Sequence, residues 1–197
     1  MQRKPEVLTE NNRALKEWAI ACEAMKSGEQ IVLIRKGGIR EEEGTFRVAD
    51  PEFFLMPTYE HQHPRLLQPT YAEKLREIQS AGFDPRTVTL DAYAVVDTVI
   101  VAPNEERVQA LSGEHIWNEQ YVKERFDFNP YDPLYVLLLR VYNLPQKTTL
   151  EMRPEYGGCK SWVTLERALA TAGAVPALSE EEFACRRAAV MSVLGKA

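Results

Sequence analysis

Apolar positions along this chain follow two rhythms. Leu15, Trp18, Ala19, Cys22 and Met25 recur at helical spacing and predict a helix that opens at Asn11 or Asn12 and runs to about Lys26. Ser27 and Gly28 end it. In that reading Cys22 is a small core residue, and Glu17 and Glu23 lie off the apolar face, in water. Unbroken apolar runs at residues 31–34 and 53–56 read as strands. The Val- and Thr-rich stretch 87–102 reads as a longer strand, bent or bulged at Asp97. Between them, residues 71–80 form a short amphipathic helix with Leu75 and Ile78 inward.

The second half continues in the same way. Residues 111–126 predict a helix with Ile116, Trp117, Gln120, Tyr121 and Phe126 for packing, and His115 near its start as a cap or surface group. Residues 134–144 are the most apolar segment and predict a central strand, inside which Arg140 must point outward or find a carboxylate. Pro145 breaks it, and residues 148–152 form another strand. Residues 163–172 predict a helix ended by Gly173. Ser179 followed by Glu182 is a capping box that opens the last helix, with Phe183, Val190 and Leu194 as its apolar face. The expected fold is α+β, one domain over residues 1–197, with a mixed or antiparallel barrel-like sheet and flanking helices. Residues 1–11 are expected to fray, and residues 164–197 to form a helical C-terminal pair.

Composition narrows the function classes. The 197 residues are 45% hydrophobic, ordinary for a folded protein. A net charge of −5 excludes a generally basic nucleic-acid coat and leaves room for a local basic groove. Three scattered cysteines, Cys22, Cys159 and Cys185, make neither a zinc ribbon nor a disulfide framework, which fits a reducing cytoplasm. The first residues hold no apolar signal-peptide core, and no apolar run reaches membrane-spanning length. No cofactor is implied.

Three blocks carry candidate chemistry. In the first, Arg35, Lys36, Gly37 and Gly38 follow a strand, so basic side chains meet glycines that let an anion approach the backbone. The plainer reading is a tight turn with two solvated cations, and the spacing is not that of a P-loop. The second block, Tyr59, Glu60, His61, Gln62 and His63, ends the next strand. On a strand His61 and His63 would share one face. That allows a metal pair, proton transfer with Glu60, hydrogen bonding to a polar ligand, or a plain polar strand end, with binding or structure ranked above metal. The third block runs from Arg153 through Tyr156, Gly157, Gly158, Cys159 and Lys160 to Trp162. Aromatics beside Arg and Lys suit base stacking with phosphate contact, or a turn with Trp162 anchored in the core.

The stretches LKEWAIACEAM, IVLIRKGGI, FFLMPTYEHQ, LYVLLLRVYNL and RPEYGGCKSW resemble, in order and over roughly residues 12–167, the bacterial family catalogued as domain of unknown function 1802. The resemblance implies little chemistry. Association of some members with a restriction-endonuclease domain implies a restriction or DNA-related setting. The pattern of strand, helix EHIWNEQYVKERF and strand LYVLLLRVYNLP also looks like the small barrels related to pseudouridine-synthase and archaeosine-transglycosylase (PUA-like) domains, including the ASCH and EVE groups. That likeness implies RNA or modified-base binding, and fold alone does not establish function.

Three functions remain in view. A reader of nucleic acid or a nucleotide would use Arg35, Lys36, Arg153 and Lys160 for phosphate, Tyr59, Tyr156 and Trp162 for stacking, and Glu60, His61 or Gln62 for a base edge. A metal-dependent nuclease would need carboxylates converging with Lys36. Asp50, Glu60 and the imperfect Glu151-Met152-Arg153 triplet are the available pieces. A non-catalytic protein-interaction domain would show an apolar patch on the last helix.

Overall fold

The computed structural model describes residues 7–37, 39–42, 45–158 and 160–195. Its elements in chain order are β1 (Glu10–Trp18), α1 (Ala19–Lys26), β2 (Val32–Lys36), β3 (Ile39–Glu42), β4 (Thr45–Val48), β5 (Glu52–Thr58), α2 (Pro69–Ala81), β6 (Thr87–Val101), α3 (Glu105–Gln109), α4 (Glu119–Asp127), β7 (Leu134–Glu151), β8 (Trp162–Ala170), β9 (Val175–Pro176) and α5 (Glu180–Leu194). Strands β2-β7-β6-β5-β1-β8 form one sheet in that order, with β9 added beside β7. The β1–β5 pair is parallel and the other pairs are antiparallel, so the sheet is mixed. It is not closed: β2 and β8 stand at its two ends. The fold is therefore α+β, as expected, with an open sheet in place of a barrel. β3 and β4 pair only with each other.

The sheet separates two apolar clusters. Leu15, Phe53, Leu55, Ala94 and Leu137 belong to the larger one, which the helices cover. Ala14, Phe54, Tyr93, Val95 and Tyr142 belong to the second. The alternation of Ala14 with Leu15 and of Phe53 with Phe54 is the strand period: successive side chains leave opposite faces. β6 and β7 can be long because they bend. Their register shifts between Leu90 and Ala92 and between Val96 and Thr98, which places Asp97 in a bulge.

Four elements differ from expectation. The predicted helix to Lys26 is a strand to Trp18 and a helix only from Ala19. β1 is bonded on both sides, by β5 and β8, and its residues 14 and 15 are buried on opposite faces; that pairing overrides helix-compatible spacing. Glu17 is consequently not solvated, as shown below. Residues 163–172 also form no helix. β8 pairs antiparallel with β1, from Trp162 opposite Leu15 to Ala170 opposite Glu10. The C-terminal part is thus a sheet strand followed by one helix, not a helical pair. The predicted helix over 111–126 shrinks to α4, capped by Asn118, whose side chain accepts from the Tyr121 N–H. Pro145 does not end β7. The register with β6 jumps from Asn143 opposite Ala92 to Thr148 opposite Leu90, and the proline sits inside that irregularity. The last helix is as read: the Ser179 side chain and Glu182 form a reciprocal capping box.

Candidate functional site

The richest constellation gathers where β1 ends. Glu17 lies two residues beyond core residue Leu15, hence on the same sheet face. Its carboxylate pairs with Arg35 of β2 at 3.5 Å, and the two side chains are only 11% and 15% exposed. The next residue, Trp18, meets Tyr121 of α4 edge-on at 6.0 Å and His63 at 6.5 Å between ring centroids. One helical turn beyond Tyr121, Arg125 lays its guanidinium over the phenol ring, 5.0 Å from the centroid. Burial pushes the Tyr121 hydroxyl up to about 12, with the charges of Arg125 and Arg35 opposing that shift and Glu17 adding to it. Glu17 also acts on Arg125. One guanidinium therefore pairs with the carboxylate and a second stands over Tyr121 within its electrostatic reach, beside two half-buried or buried aromatic rings.

The third sequence block reaches the same strand end from the other side. The Lys16 ammonium donates to the Gly158 carbonyl at 2.6 Å, and the Lys16 N–H donates to the Ser161 carbonyl at 2.7 Å. Lys160 is exposed beside them. Trp162 sits opposite Leu15 and packs edge-on against Phe53 at 5.1 Å. Gly37 is exposed with φ 76°, the left-handed turn that the glycine permits. Gly38 and Cys159 lie outside the described residues.

Other members of the three blocks are engaged elsewhere. The Lys36 ammonium donates to the carbonyls of Phe126 at 3.1 Å, Asn129 at 2.9 Å and Phe128. Its three protons thus satisfy the open C-terminus of α4. Tyr156 is buried, and its hydroxyl accepts from the Glu166 N–H at 3.0 Å, so its ring is a support under β8 rather than a stacking surface. Arg153 pairs with Glu166. Gln62 is buried, and its Oε1 accepts from the Ile20 N–H in the first turn of α1 at 3.2 Å. Glu60 and His61 are exposed on the turn, with His61 at φ 59°. Because residues 59–63 are a turn there and not a strand continuation, His61 and His63 do not share a strand face.

Tyr59 faces a different feature, a cleft of about 450 Å³ lined by Cys22, Asp91 and Lys147 among others. Its ring stacks on Phe83, 4.4 Å apart and 8° from parallel. Burial raises the Cys22 thiol well above its usual range, with Glu17 and Glu23 adding to the effect, so it is a poor nucleophile. The nuclease pieces are dispersed. Asp50 pairs with Arg13 at 2.7 Å, Glu60 lies on the exposed turn and Glu151 ends β7. Among the described residues no three His, Cys, Asp or Glu side chains gather as a metal group would need.

Glu17, Trp18, Tyr121 and Arg125 were not among the sequence candidates. The signal for the helix pair was present, since Tyr121 and Arg125 are spaced i, i+4 and share one helix face. The signal for Glu17 depended on recognising β1 as a strand.

No helix among the described residues is long and apolar enough to cross a membrane. Solved structures similar to this one include crystal structures of ASCH from Zymomonas mobilis. A single-substitution variant of that protein aligns with TM-score 0.44 and 11% identity over 79% of this chain and 90% of its own. The unsubstituted protein aligns with TM-score 0.41 and 10% identity over 90% of this chain and 93% of its own. No curated protein matches the sequence. The sequence matches the domain of unknown function DUF1802 over residues 14–189. The chain belongs to that family.

Proposed function

We propose that this DUF1802 member binds a nucleotide or nucleic acid at the end of β1, without cleaving it, in the restriction-related setting that its family resemblance implies. The observation that carries the reading is the charge count in the Glu17 cluster. Arg35 pairs with Glu17, while Arg125 lies over Tyr121 and makes no ion pair among the described residues, which leaves one guanidinium charge in excess within a half-buried, aromatic surround. Guanidinium forks match phosphate oxygens two at a time, and partial burial strengthens that contact over one in open water. Trp18 and His63 supply ring surface beside the forks, where a base can stack. Lys160 is an exposed cation on the segment that leads into β8. Lys36 contributes indirectly, by fixing the end of the helix that carries Tyr121 and Arg125.

The test is fluorescence anisotropy with labelled single- and double-stranded DNA and RNA, and with a labelled nucleotide, at two salt concentrations. Affinity should fall as salt rises, despite the acidic chain, and should fall further in Arg35→Ala and Arg125→Ala. Absence of salt-dependent binding to every one of these probes would remove the reading. Cleavage of any probe in the presence of magnesium or manganese would replace it with the nuclease.

A further inference from the structure

The loop that joins α4 to β7 reads Phe-Asn-Pro-Tyr-Asp-Pro over residues 128–133. Both of its ends are fixed at Lys36. The Lys36 ammonium holds the carbonyls of Phe126, Phe128 and Asn129 at the end of α4, and Lys36 itself stands opposite Leu134, the first residue of β7. Inside the loop the Asp132 N–H donates to the Asn129 carbonyl at 3.0 Å, and the Asn129 side-chain amide donates to the Asp132 carboxylate. Asn129 takes φ 47°, the left-handed conformation that asparagine tolerates, and Pro130 and Pro133 restrict the rest. The backbone of this loop is therefore tied down at each end and across its middle.

Its aromatic side chains are left open. Phe128 is 65% exposed and Tyr131 95%, the two highest values for large hydrophobic side chains among the described residues. A single exposed aromatic is ordinary on a protein surface. Here two of them stand three residues apart on a pinned turn, next to an unpaired guanidinium. Arg125 lies three residues before Phe128, and Arg35 precedes Lys36 in β2. The loop carries no cation, and its one carboxylate, Asp132, is held by Asn129. The neighbouring carboxylates Glu124 and Asp127 are paired with Arg65 and Lys123. Phosphate contact therefore belongs to Arg125 and its surroundings, and the loop offers uncharged rings in water.

We propose that Phe128 and Tyr131 are stacking platforms for unpaired bases, so that the ligand at the end of β1 is a single-stranded nucleic acid rather than a mononucleotide or a duplex. This inference rests on the reading of the Glu17 cluster as the phosphate contact. A strand of nucleic acid carries phosphates and bases side by side, and residues 125–131 set a guanidinium and two uncharged rings within one short segment. Base faces inside a duplex are already stacked on their neighbours, so an unpaired base is the one that can lie on a protein ring. A loop fixed before binding loses little conformational freedom when a base stacks on it, which keeps the gain from the rings in the affinity. Every base has a π face, so little sequence preference is expected.

Calorimetric titration of the intact chain tests it with thymidine monophosphate, a single-stranded thymidine oligonucleotide and a hairpin duplex of the same nucleotide number. The oligonucleotide is expected to bind most tightly. Phe128→Ala combined with Tyr131→Ala should weaken it roughly tenfold or more, the factor expected for one or two lost stacks, and should leave the monophosphate and the duplex unchanged. Tyr131→Trp should preserve the oligonucleotide affinity and Tyr131→Leu should not, because stacking needs a flat ring and not apolar bulk. Both side chains are exposed and the bonds to Lys36 come from the backbone, so these substitutions leave the fold in place. An oligonucleotide affinity unchanged in the double variant, or equal for Tyr131→Trp and Tyr131→Leu, would overturn the platform; Arg125→Ala weakening all three ligands would then leave the phosphate reading standing. Absence of binding to every ligand by the natural chain removes both. Loss of a concentration-dependent dimer in the double variant, with oligonucleotide affinity intact, assigns the rings to contact between copies of the chain instead.

Discussion

Two arginine clusters in this molecule use the same residue types to different ends. In the first, Arg140 of β7 and Arg187 of α5 face Asp97 and Glu180. Arg140 reaches Glu180 at 2.7 Å and Asp97 at 3.6 Å, while Arg187 reaches Asp97 at 2.7 Å. Two cations meet two carboxylates, and Arg140 also lies 4.1 Å over the ring of buried Phe183. The charge is closed, and the cluster ties α5 to the bulge of β6. In the second, Arg35 pairs with Glu17, and Arg125 lies over Tyr121 with no ion pair among the described residues. The first cluster is finished in the folded chain. The second holds one positive charge for which an external anion is the natural complement. Residue type does not separate a structural lock from a binding site; the count of opposing charges does.

The largest effect should come from opening the lock. Asp97→Ala removes the carboxylate shared by Arg140 and Arg187 and leaves both guanidiniums short of a partner. Breaking a fully buried pair costs about 3–5 kcal/mol. These side chains keep some solvent contact, so about 2–3 kcal/mol is expected, read as a drop in the urea midpoint. Anion binding at β1 should not change. If binding falls in step with stability, the two clusters are not independent.

Arg125→Ala should show the converse. It removes one phosphate fork and a ring contact worth about 0.5–1 kcal/mol, so unfolding should shift little. Affinity for a nucleotide or oligonucleotide should fall roughly tenfold or more. A stability loss as large as that of Asp97→Ala would make Arg125 part of a second lock.

Glu17→Gln sharpens the comparison further, because the expected sign is a gain. The substitution keeps the shape and deletes the competing anion, so phosphate affinity should rise, by about fivefold if the lost repulsion is on the order of 1 kcal/mol. The equivalent change in the lock, Glu180→Gln, should produce no such gain. Anisotropy titrations of the two variants side by side decide the point.

The lock was partly legible in the sequence and the binding cluster hardly at all. An arginine inside the most apolar strand announces that a carboxylate must come to it, and a strand-interior aspartate suggests a bulge. Arg140 and Asp97 meet for those reasons. Arg35 was visible as a cation after a strand, but its partner was not. Glu17 reads as solvated when Leu15, Trp18, Ala19 and Cys22 are taken as one helix. Only the pairing of β1 between β5 and β8, set by residues 40 to 160 positions away, turns it toward Arg35. The same long-range pairing made a strand of residues 162–170, whose composition suits a helix. Local chemistry misled in the other direction at Lys36 and Tyr156. Each looked free to bind, and each is consumed by backbone groups that no sequence window displays.

Acid offers the last and smallest separation. His115 lies behind Trp117, whose ring stacks on Tyr121 at 4.6 Å and 7°, so it supports the binding cluster from within. The lock contains no histidine. Burial lowers the His115 pKa in the folded chain below the value near 6.5 of an exposed imidazole. Between those two values the unfolded chain holds a proton that the folded chain does not. Stability linked to this group is therefore complete above about pH 6.5 and is lost progressively as pH falls toward the folded value. Urea midpoints at pH 7.5 and 5.5 should show that loss in the natural chain and in Asp97→Ala alike, since the lock does not hold the titrating group. His115→Gln should show a smaller loss over the same interval. An undiminished slope in His115→Gln would place the acid sensitivity elsewhere, and a slope that vanishes in Asp97→Ala would join the two regions that the charge count keeps apart.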